Sequence, residues 1–329
     1  MTAVLVVGGA GFIGSHTCKA LKAHGFTPIV YDNLKGGHAW AVKWGPLVAS
    51  DLFDEEELSL TLEKYKPQVV LHFASSINVR ESMQNPGLYY NNNVVGSIKL
   101  FEAMQKNHIP LLVFSSSAAV YGSNHKGVLV EESACNPIHP YGKSKWMTEE
   151  IIHDYEKAHG FRSVIFRYFN AAGADPHGQI GEAHEPETHL IPRSLQTALG
   201  KQEFLEIFGS DYPTLDGTAI RDYVHVTDLA EAHVLAVKWL LAGKESMTLN
   251  LGSGKGHSLN EVLAMVEKVT QKPIQRKILS RNKEEPARLV ASAEKAAHLL
   301  GWRPKYTDLE TIVSTACRWY STQGRRLDG

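Results

Sequence analysis

The run Val4-Leu5-Val6-Val7-Gly8-Gly9-Ala10-Gly11-Phe12-Ile13-Gly14 sets a short β-branched stretch directly against a glycine cluster, and a helical pattern follows it to His24. Strand, glycine turn and helix in immediate succession is the arrangement that a dinucleotide's pyrophosphate requires. Gly8 or Gly9 permits the tight turn, Gly11 lets backbone N–H groups approach the phosphates, and Gly14 lets the helix lie close on the sheet. The positive end of the helix then faces the phosphate charge. A second strand, 27–31, ends in Asp32, 18 residues beyond Gly14. A carboxylate there accepts hydrogen bonds from the adenine ribose hydroxyls and repels a 2′-phosphate, so the spacing predicts NAD rather than NADP.

The alternation continues outward from this unit. Strand 47–49 ends in Ser50-Asp51, helix 55–65 follows, and strand 68–72 ends in Phe73-Ala74. A long helix, 86–106, precedes strand 111–115, and helix 141–159 precedes strand 163–169. Strands separated by helices predict an α/β fold with a doubly wound parallel Rossmann sheet, whose ligands sit at the carboxyl ends of the strands. Those ends carry Asp32, Asp51, Ala74, Ser115-Ser116-Ser117 and Tyr168-Phe169-Asn170. Helix 141–159 opens on Tyr141-Gly142-Lys143-Ser144-Lys145, a spacing that puts Tyr141 and Lys145 on one helix face. An ammonium beside a phenol favours the phenolate and pulls its pKa down from ~10, which makes a usable acid/base.

Beyond Asn170 the composition changes. Residues 171–189 are rich in Gly, Ala, His, Pro and Glu, which predicts a loop and a boundary. On this reading 1–170 is the NAD-binding Rossmann domain and 171–329 a smaller mixed α/β substrate-binding lobe, with 222–251 a candidate to pack back on the first. In the lobe we expect helix 190–199, strand 206–208 and helix 226–241. Two capping boxes, Ser258-Leu259-Asn260-Glu261 and Thr307-Asp308-Leu309-Glu310, should open further helices. His177, Glu182, His184, Glu185, Glu187 and His189 show no fixed ligand spacing and read as a solvated loop, so no metal is expected. With 329 residues, 43% of them hydrophobic, the chain can bury a sizeable core. A net charge of −1 argues against nucleic-acid or anionic-membrane partners, and no apolar run reaches membrane-span length. Three scattered cysteines, Cys18, Cys135 and Cys317, and an N-terminus that runs straight into a strand fit a cytoplasmic protein.

The residues resemble the extended short-chain dehydrogenase/reductases, and within them the UDP-glucose (UDP-galactose) 4-epimerases. The first half matches through the glycine turn, Tyr31-Asp32-Asn33-Leu34, Leu71-His72-Phe73-Ala74, Phe114-Ser115-Ser116-Ser117, Val120-Tyr121-Gly122 and the tyrosine motif. The second half matches through Arg167-Tyr168-Phe169-Asn170, Leu190-Ile191-Pro192, Ile207-Phe208-Gly209, Asp211-Tyr212-Pro213-Thr214, Asp216-Gly217-Thr218 and Arg221-Asp222-Tyr223-Val224-His225-Val226.

The resemblance implies reversible C4 epimerisation of a UDP-hexose through a transient 4-keto sugar, with NAD as cofactor and a homodimer formed through helices 86–106 and 141–159. It implies catalytic roles for Ser117, Tyr141 and Lys145. Cofactor contacts are implied at Gly8, Gly11, Phe12, Ile13, Gly14, Asp32, Asn33, Asp51, Leu52, Phe73, Ala74, Ser115, Tyr141, Lys145 and Tyr168. The nucleotide-sugar contacts implied are Ser117, Tyr141, Asn170, Leu190, Phe208, Arg221, Tyr223, Arg281 and Arg288, with Arg221 and Arg281 on the diphosphate and Arg288 limiting room at the sugar's 2-position. The sequence departs from the family pattern at Val7, at Ala119 and at Ser75-Ser76-Ile77-Asn78, where a lysine is usual. It departs again at Asn282-Lys283-Glu284-Glu285-Pro286, where the carboxylate that meets the uridine ribose must be Glu284 or Glu285. Alternatives are a UDP-N-acetylhexosamine or UDP-uronic acid epimerase and, more remotely, a non-catalytic NAD-binding regulator. A 4,6-dehydratase is disfavoured because Ser117-Ala118-Ala119 carries no carboxylate.

Overall fold

The computed structural model describes residues 2–123, 125, 127–281 and 285–323. Seven strands form the main sheet: β1 (Ala3–Val7), β2 (Thr27–Asp32), β3 (Leu47–Ala49), β4 (Val69–His72), β5 (Leu111–Ser117), β6 (Arg162–Tyr168) and, from far along the chain, β10 (Met247–Leu251). Their order is β10-β6-β5-β4-β1-β2-β3, and every pairing is parallel. β1 and β4 read as near-continuous apolar runs because helices cover both faces of the sheet. Strand order reverses between β1 and β4, which opens a crevice at their carboxyl ends.

One face of the sheet carries α1 (Phe12–Ala23) together with α8 (Val226–Leu241). Leu21, Val30, Leu71, Val113, Phe166, Leu229 and Val237 are buried between these helices and the strands. The other face carries α2 (Glu55–Tyr65), α5 (Gly96–Lys106) and α6 (Pro140–His159) over Leu5, Ile29, Leu58, Leu100, Phe101, Leu112 and Ile165. Two short helices, α3 (Val79–Gln84) and α4 (Pro86–Tyr89), lead into α5. The single helix expected over 86–106 is interrupted by a π-helical segment, Tyr90–Val95. Buried Asn93 explains the wider turn. Its side chain accepts the Ser76 N–H at 2.8 Å and donates to Ser144 Oγ at 3.0 Å, so it tethers the 75–78 segment to α6.

The remaining chain builds a second layer. β7 (Asn170–Ala172) pairs with β9 (Ile220–His225), which also pairs with β11 (Gly256–Ser258) and β13 (Arg288–Leu289). β8 (Leu205–Phe208) pairs with β12 (Arg276–Leu279). Helices α7 (Leu190–Ala198), α9 (Leu259–Thr270) and α11 (Leu309–Gln323) close a separate apolar cluster around Leu195, Leu263, Val266, Ile312 and Trp319, while α10 (Glu294–Leu300) lies by β10 and α8. The Ser258–Glu261 capping box forms with both of its hydrogen bonds. The second box is displaced by one residue. Asp308, rather than Thr307, caps α11 by accepting the Thr311 N–H at 2.7 Å.

Candidate active site

The glycine turn is shaped as its residues require. Gly8 has φ +80, and a Cβ there would stand 2.5 Å from the Ala74 nitrogen; a Cβ on Gly14 would collide with the Gly8 carbonyl. Gly14 therefore serves the turn itself more than the packing of helix on sheet. Gly11 caps α1 without a side-chain hydrogen bond, so the first N–H groups of the helix lack a side-chain partner there. Buried Asp32 accepts the Ala10 N–H at 2.9 Å and the Leu34 N–H at 2.8 Å, holding the end of β2 against this turn. Burial raises its pKa, and these two backbone bonds oppose the rise. Asp51, beside Leu52, accepts from Asn33 Nδ2 at 2.8 Å and Lys35 Nζ at 3.2 Å. Phe73 and Ala74 both donate their N–H to the Val7 carbonyl, at 2.8 and 3.1 Å, which closes the floor of the crevice. An uncapped helix end, a cradle with no room for side chains and a carboxylate at the second strand end fit a dinucleotide.

The serine run ends β5, and the tyrosine motif opens α6. His139 caps that helix through Nδ1, which accepts the Gly142 N–H at 3.0 Å, and Pro140 occupies the first turn. A Cβ on Gly142 would stand only 2.6 Å from the Ala119 carbonyl oxygen, so glycine brings α6 against the turn that follows Ser117. That contact draws Tyr141 and Ser117 together, close enough for the Ser117 hydroxyl to favour ionisation of the phenol.

Lys145 is 4% exposed and donates to the Ser115 carbonyl at 2.8 Å. Desolvation lowers its pKa to about 7, partly opposed by Glu149. Burial raises Tyr141, with the Ser117 hydroxyl pulling the other way. The lowered phenol expected from Tyr141 and Lys145 sharing a helix face is therefore absent in the protein alone. Desolvation dominates both groups and keeps both toward their neutral forms.

Beneath this pair lies a buried polar network that the sequence reading passed over. Glu149 accepts from Ser116 Oγ and takes Arg167 in a fork, with Nη2 at 2.6 Å. Arg167 also donates to the Tyr121 hydroxyl at 3.2 Å, and Tyr121 donates to Asn250 at 2.7 Å. Glu149 stands four residues after Lys145 on α6, a helical spacing that could have drawn attention to it. Tyr168, at the end of β6, is raised by burial, and Ser115 opposes the rise.

The second layer brings further residues toward this edge. Asn170 and Tyr223 stand opposite each other in the β7–β9 pairing. Arg221 is lowered by burial, while Glu285 raises it, and its Nη1 donates to the Ile220 carbonyl at 2.9 Å. Arg281 lies over the Tyr212 ring at 5.0 Å and pairs with Asp211 at 3.4 Å. The guanidinium of Arg80, on α3, stacks on Phe208 at 3.4 Å, a contact that sequence did not indicate. Leu190 opens α7. Glu285 accepts from the Tyr212 hydroxyl at 3.3 Å, and Glu284, its alternative on the uridine ribose, lies outside the described residues. Arg288 is exposed on β13 and pairs with Ile220, so strand alternation sends its Cβ to the face opposite Arg221. Its guanidinium carbon comes within 3.9 Å of where a Cβ on Gly256 would stand.

Residues 4–252 match the model of the NAD dependent epimerase/dehydratase family. A UDP-glucose 4-epimerase of Rhizobium meliloti (strain 1021) is 48% identical over 322 residues, covering 98% of each chain. The structure of UDP-glucose 4-epimerase from Brucella ovis in complex with NAD superposes with a TM-score of 0.94 at 47% identity, covering 96% of this chain and 98% of that one. UDP-glucose 4-epimerase from Bifidobacterium longum, in complex with NAD+ and UDP, gives a TM-score of 0.94 at 33% identity over 98% of this chain and 99% of that one. The chain belongs to the NAD dependent epimerase/dehydratase family and, within it, to the UDP-glucose 4-epimerases.

Proposed function

We propose that this protein interconverts UDP-glucose and UDP-galactose by NAD-dependent epimerisation at C4. The observation that carries the reading is the close approach, through Gly142, of Tyr141 and Ser117 at the carboxyl end of β5, with Lys145 buried beneath them. An unactivated secondary alcohol has no acidic C–H, so inversion needs transient oxidation, and NAD held at the glycine turn supplies the acceptor and donor of hydride. Tyr141 takes the 4-hydroxyl proton and returns it, and Ser117 steadies that oxygen by a hydrogen bond. Lys145, a buried cation when protonated, stabilises the phenolate. Gly8, Gly11, Phe12, Ile13, Gly14, Asp32, Asn33, Asp51, Leu52, Phe73, Ala74, Ser115 and Tyr168 hold the dinucleotide. Asn170, Leu190, Phe208, Arg221, Tyr223 and Arg281 hold the nucleotide sugar. A half-buried guanidinium such as Arg221 favours an anionic diphosphate beside it.

We assign 1–170 to the cofactor, with α8 and β10 returning to it, and the remainder of 171–329 to the nucleotide sugar. A cytoplasmic homodimer is part of the same reading. The test is to incubate purified protein with UDP-galactose, without added NAD, and to follow UDP-glucose. Conversion supports the assignment. Absence of bound NAD after denaturation, with activity only on added NADP, overturns it together with the role of Asp32.

A further inference from the structure

The stretch 182–189 is not a solvated loop. His177 and Glu185 are exposed, but the side chains of Glu182 and Glu187 are buried, His184 is half-buried and His189 is partly open to solvent, and the four bring one ligand atom each within 4.8 Å of the others. His189 Nδ1 lies 2.7 Å from Glu182 Oε1 and 3.1 Å from Glu187 Oε1. His184 Nδ1 lies 3.1 Å from Glu182 Oε1 and 3.9 Å from Glu187 Oε2. The two carboxylates have side-chain exposures of only 4% and 3%.

Two buried carboxylates this close need positive charge between them. A single dication placed among the four side chains neutralises both carboxylates and takes both imidazoles as ligands. For metal–ligand bonds of about 2.0–2.1 Å, tetrahedral donors stand about 3.3 Å apart, a spacing that four ligand atoms within 4.8 Å of one another can reach by small side-chain rotations.

The Glu187 carboxylate is also oriented from behind, as metal ligands are, and the backbone at Glu182 is pinned. Glu187 Oε1 accepts the N–H groups of Thr188 and His189 at 2.8 and 2.9 Å, and its Oε2 accepts from the Tyr320 hydroxyl at 3.2 Å. Trp319 Nε1 donates to the Glu182 carbonyl at 2.9 Å. Two imidazole nitrogens with two carboxylate oxygens suit zinc and its first-row neighbours better than magnesium or calcium.

We propose that Glu182, His184, Glu187 and His189 form a structural site for a divalent transition-metal cation of the zinc class. The cation pins the 173–189 loop where it meets the dinucleotide turn. The loop makes that meeting through the His38 Nε2–Ala183 carbonyl contact at 2.6 Å and the edge of the Phe12 ring against His184 at 6.4 Å. Four protein ligands leave no open position, so the role is structural and independent of the hydride chemistry.

The full chain, purified without a histidine tag, should carry about one zinc per molecule after gel filtration, read by elemental analysis. After chelator treatment, Zn²⁺ should raise the melting temperature, and Co²⁺ should develop the visible absorption of a tetrahedral site. His184→Gln with His189→Gln should weaken Zn²⁺ binding at least ~100-fold in a competition titration. The cobalt spectrum is read on the unsubstituted protein, so a variant that fails to fold leaves the test intact. Substoichiometric metal with no cobalt spectrum and no melting shift overturns the proposal. So does undiminished zinc binding in the double variant, which would place the ion elsewhere.

Discussion

Gly142→Ala adds one methyl group at the most crowded point of the active-site scaffold. The new Cβ would lie 2.6 Å from the Ala119 carbonyl oxygen and 3.1 Å from Pro137 Cβ. Neither neighbour is the free end of a flexible side chain, so α6 or the turn after Ser117 must retreat. Ordinary contact begins at 3.4 Å, which sets the retreat at about 0.8 Å. A misplacement on the order of 1 Å between acid/base and substrate costs up to ~10² in rate, so kcat should fall about 10–100-fold. Overpacking costs about 1–3 kcal/mol, and replacing a helical glycine returns up to ~1 kcal/mol, so the fold should survive. The dinucleotide turn is not in contact with this site, and bound NAD should be retained. The assay is steady-state conversion of UDP-galactose, with NAD content and a denaturant melt on the same sample. A variant that holds NAD, melts normally and turns over within twofold of the parent would refute the claim that Gly142 sets the distance between Tyr141 and Ser117.

Tyr141→Phe should lower turnover by about 10²–10⁴ while leaving NAD bound, and near-normal turnover would remove Tyr141 from the acid/base role. Burial holds His16, His72, His139, His225 and His233 at about 4, 3, 4, 3 and 4, below the ordinary 6.5. The unfolded chain therefore takes up protons that the native one refuses, and stability should fall as pH drops from 6.5 toward 4, by about 2 kcal/mol at pH 5 for each fully buried ring. Melting temperatures that stay flat between pH 6.5 and 5 would contradict this burial. Arg288→Ala should leave the kcat/KM ratio of UDP-galactose to UDP-N-acetylgalactosamine within about twofold, against the ~10–200-fold that a gating side chain commands. A large gain for the acetylated sugar would return Arg288 to the pocket.

Six of the seven strands of the main sheet were legible because their evidence is local, whereas β10, which joins from far along the chain, was not read as a strand. A β-branched run, a glycine turn and an acid at the next strand end constrain one another over the first 32 residues, and β1, α1 and β2 follow from them. The tyrosine motif was legible for the same reason, since helical spacing fixes which face Tyr141 and Lys145 share. What escaped reading depends on contacts between distant segments. Asn93 widens its helix because it must satisfy both Ser76 and Ser144, and nothing in the run Asn91-Asn92-Asn93 reveals those partners. Arg288 was placed by family position, but a two-residue strand paired with Ile220 decides which way its Cβ faces. The 182–189 stretch has no regular ligand spacing because it is neither helix nor strand, and only its folded path brings the four donors together.

The protonation of Tyr141 and Lys145 shows why motif and mechanism are separate questions. Spacing places an amine beside a phenol; it does not say where the proton resides. Here Lys145 stands at about 7 and Tyr141 above its ordinary 10, both because of burial. Transferring the phenolic proton to the amine is therefore disfavoured in the protein alone. The ordinary remedy, exposing the pair to water, would forfeit the low dielectric that makes a phenolate basic enough to be useful. The fold instead keeps the pair neutral and dry, with Lys145 directed to the Ser115 carbonyl and Glu149 committed to Arg167. Glu149 raises the lysine, but its charge is already matched by that guanidinium, so it offsets only part of the desolvation. Acid/base strength in this site thus depends on the charge and hydrogen bonds that ligands bring, and reactivity is confined to the filled pocket.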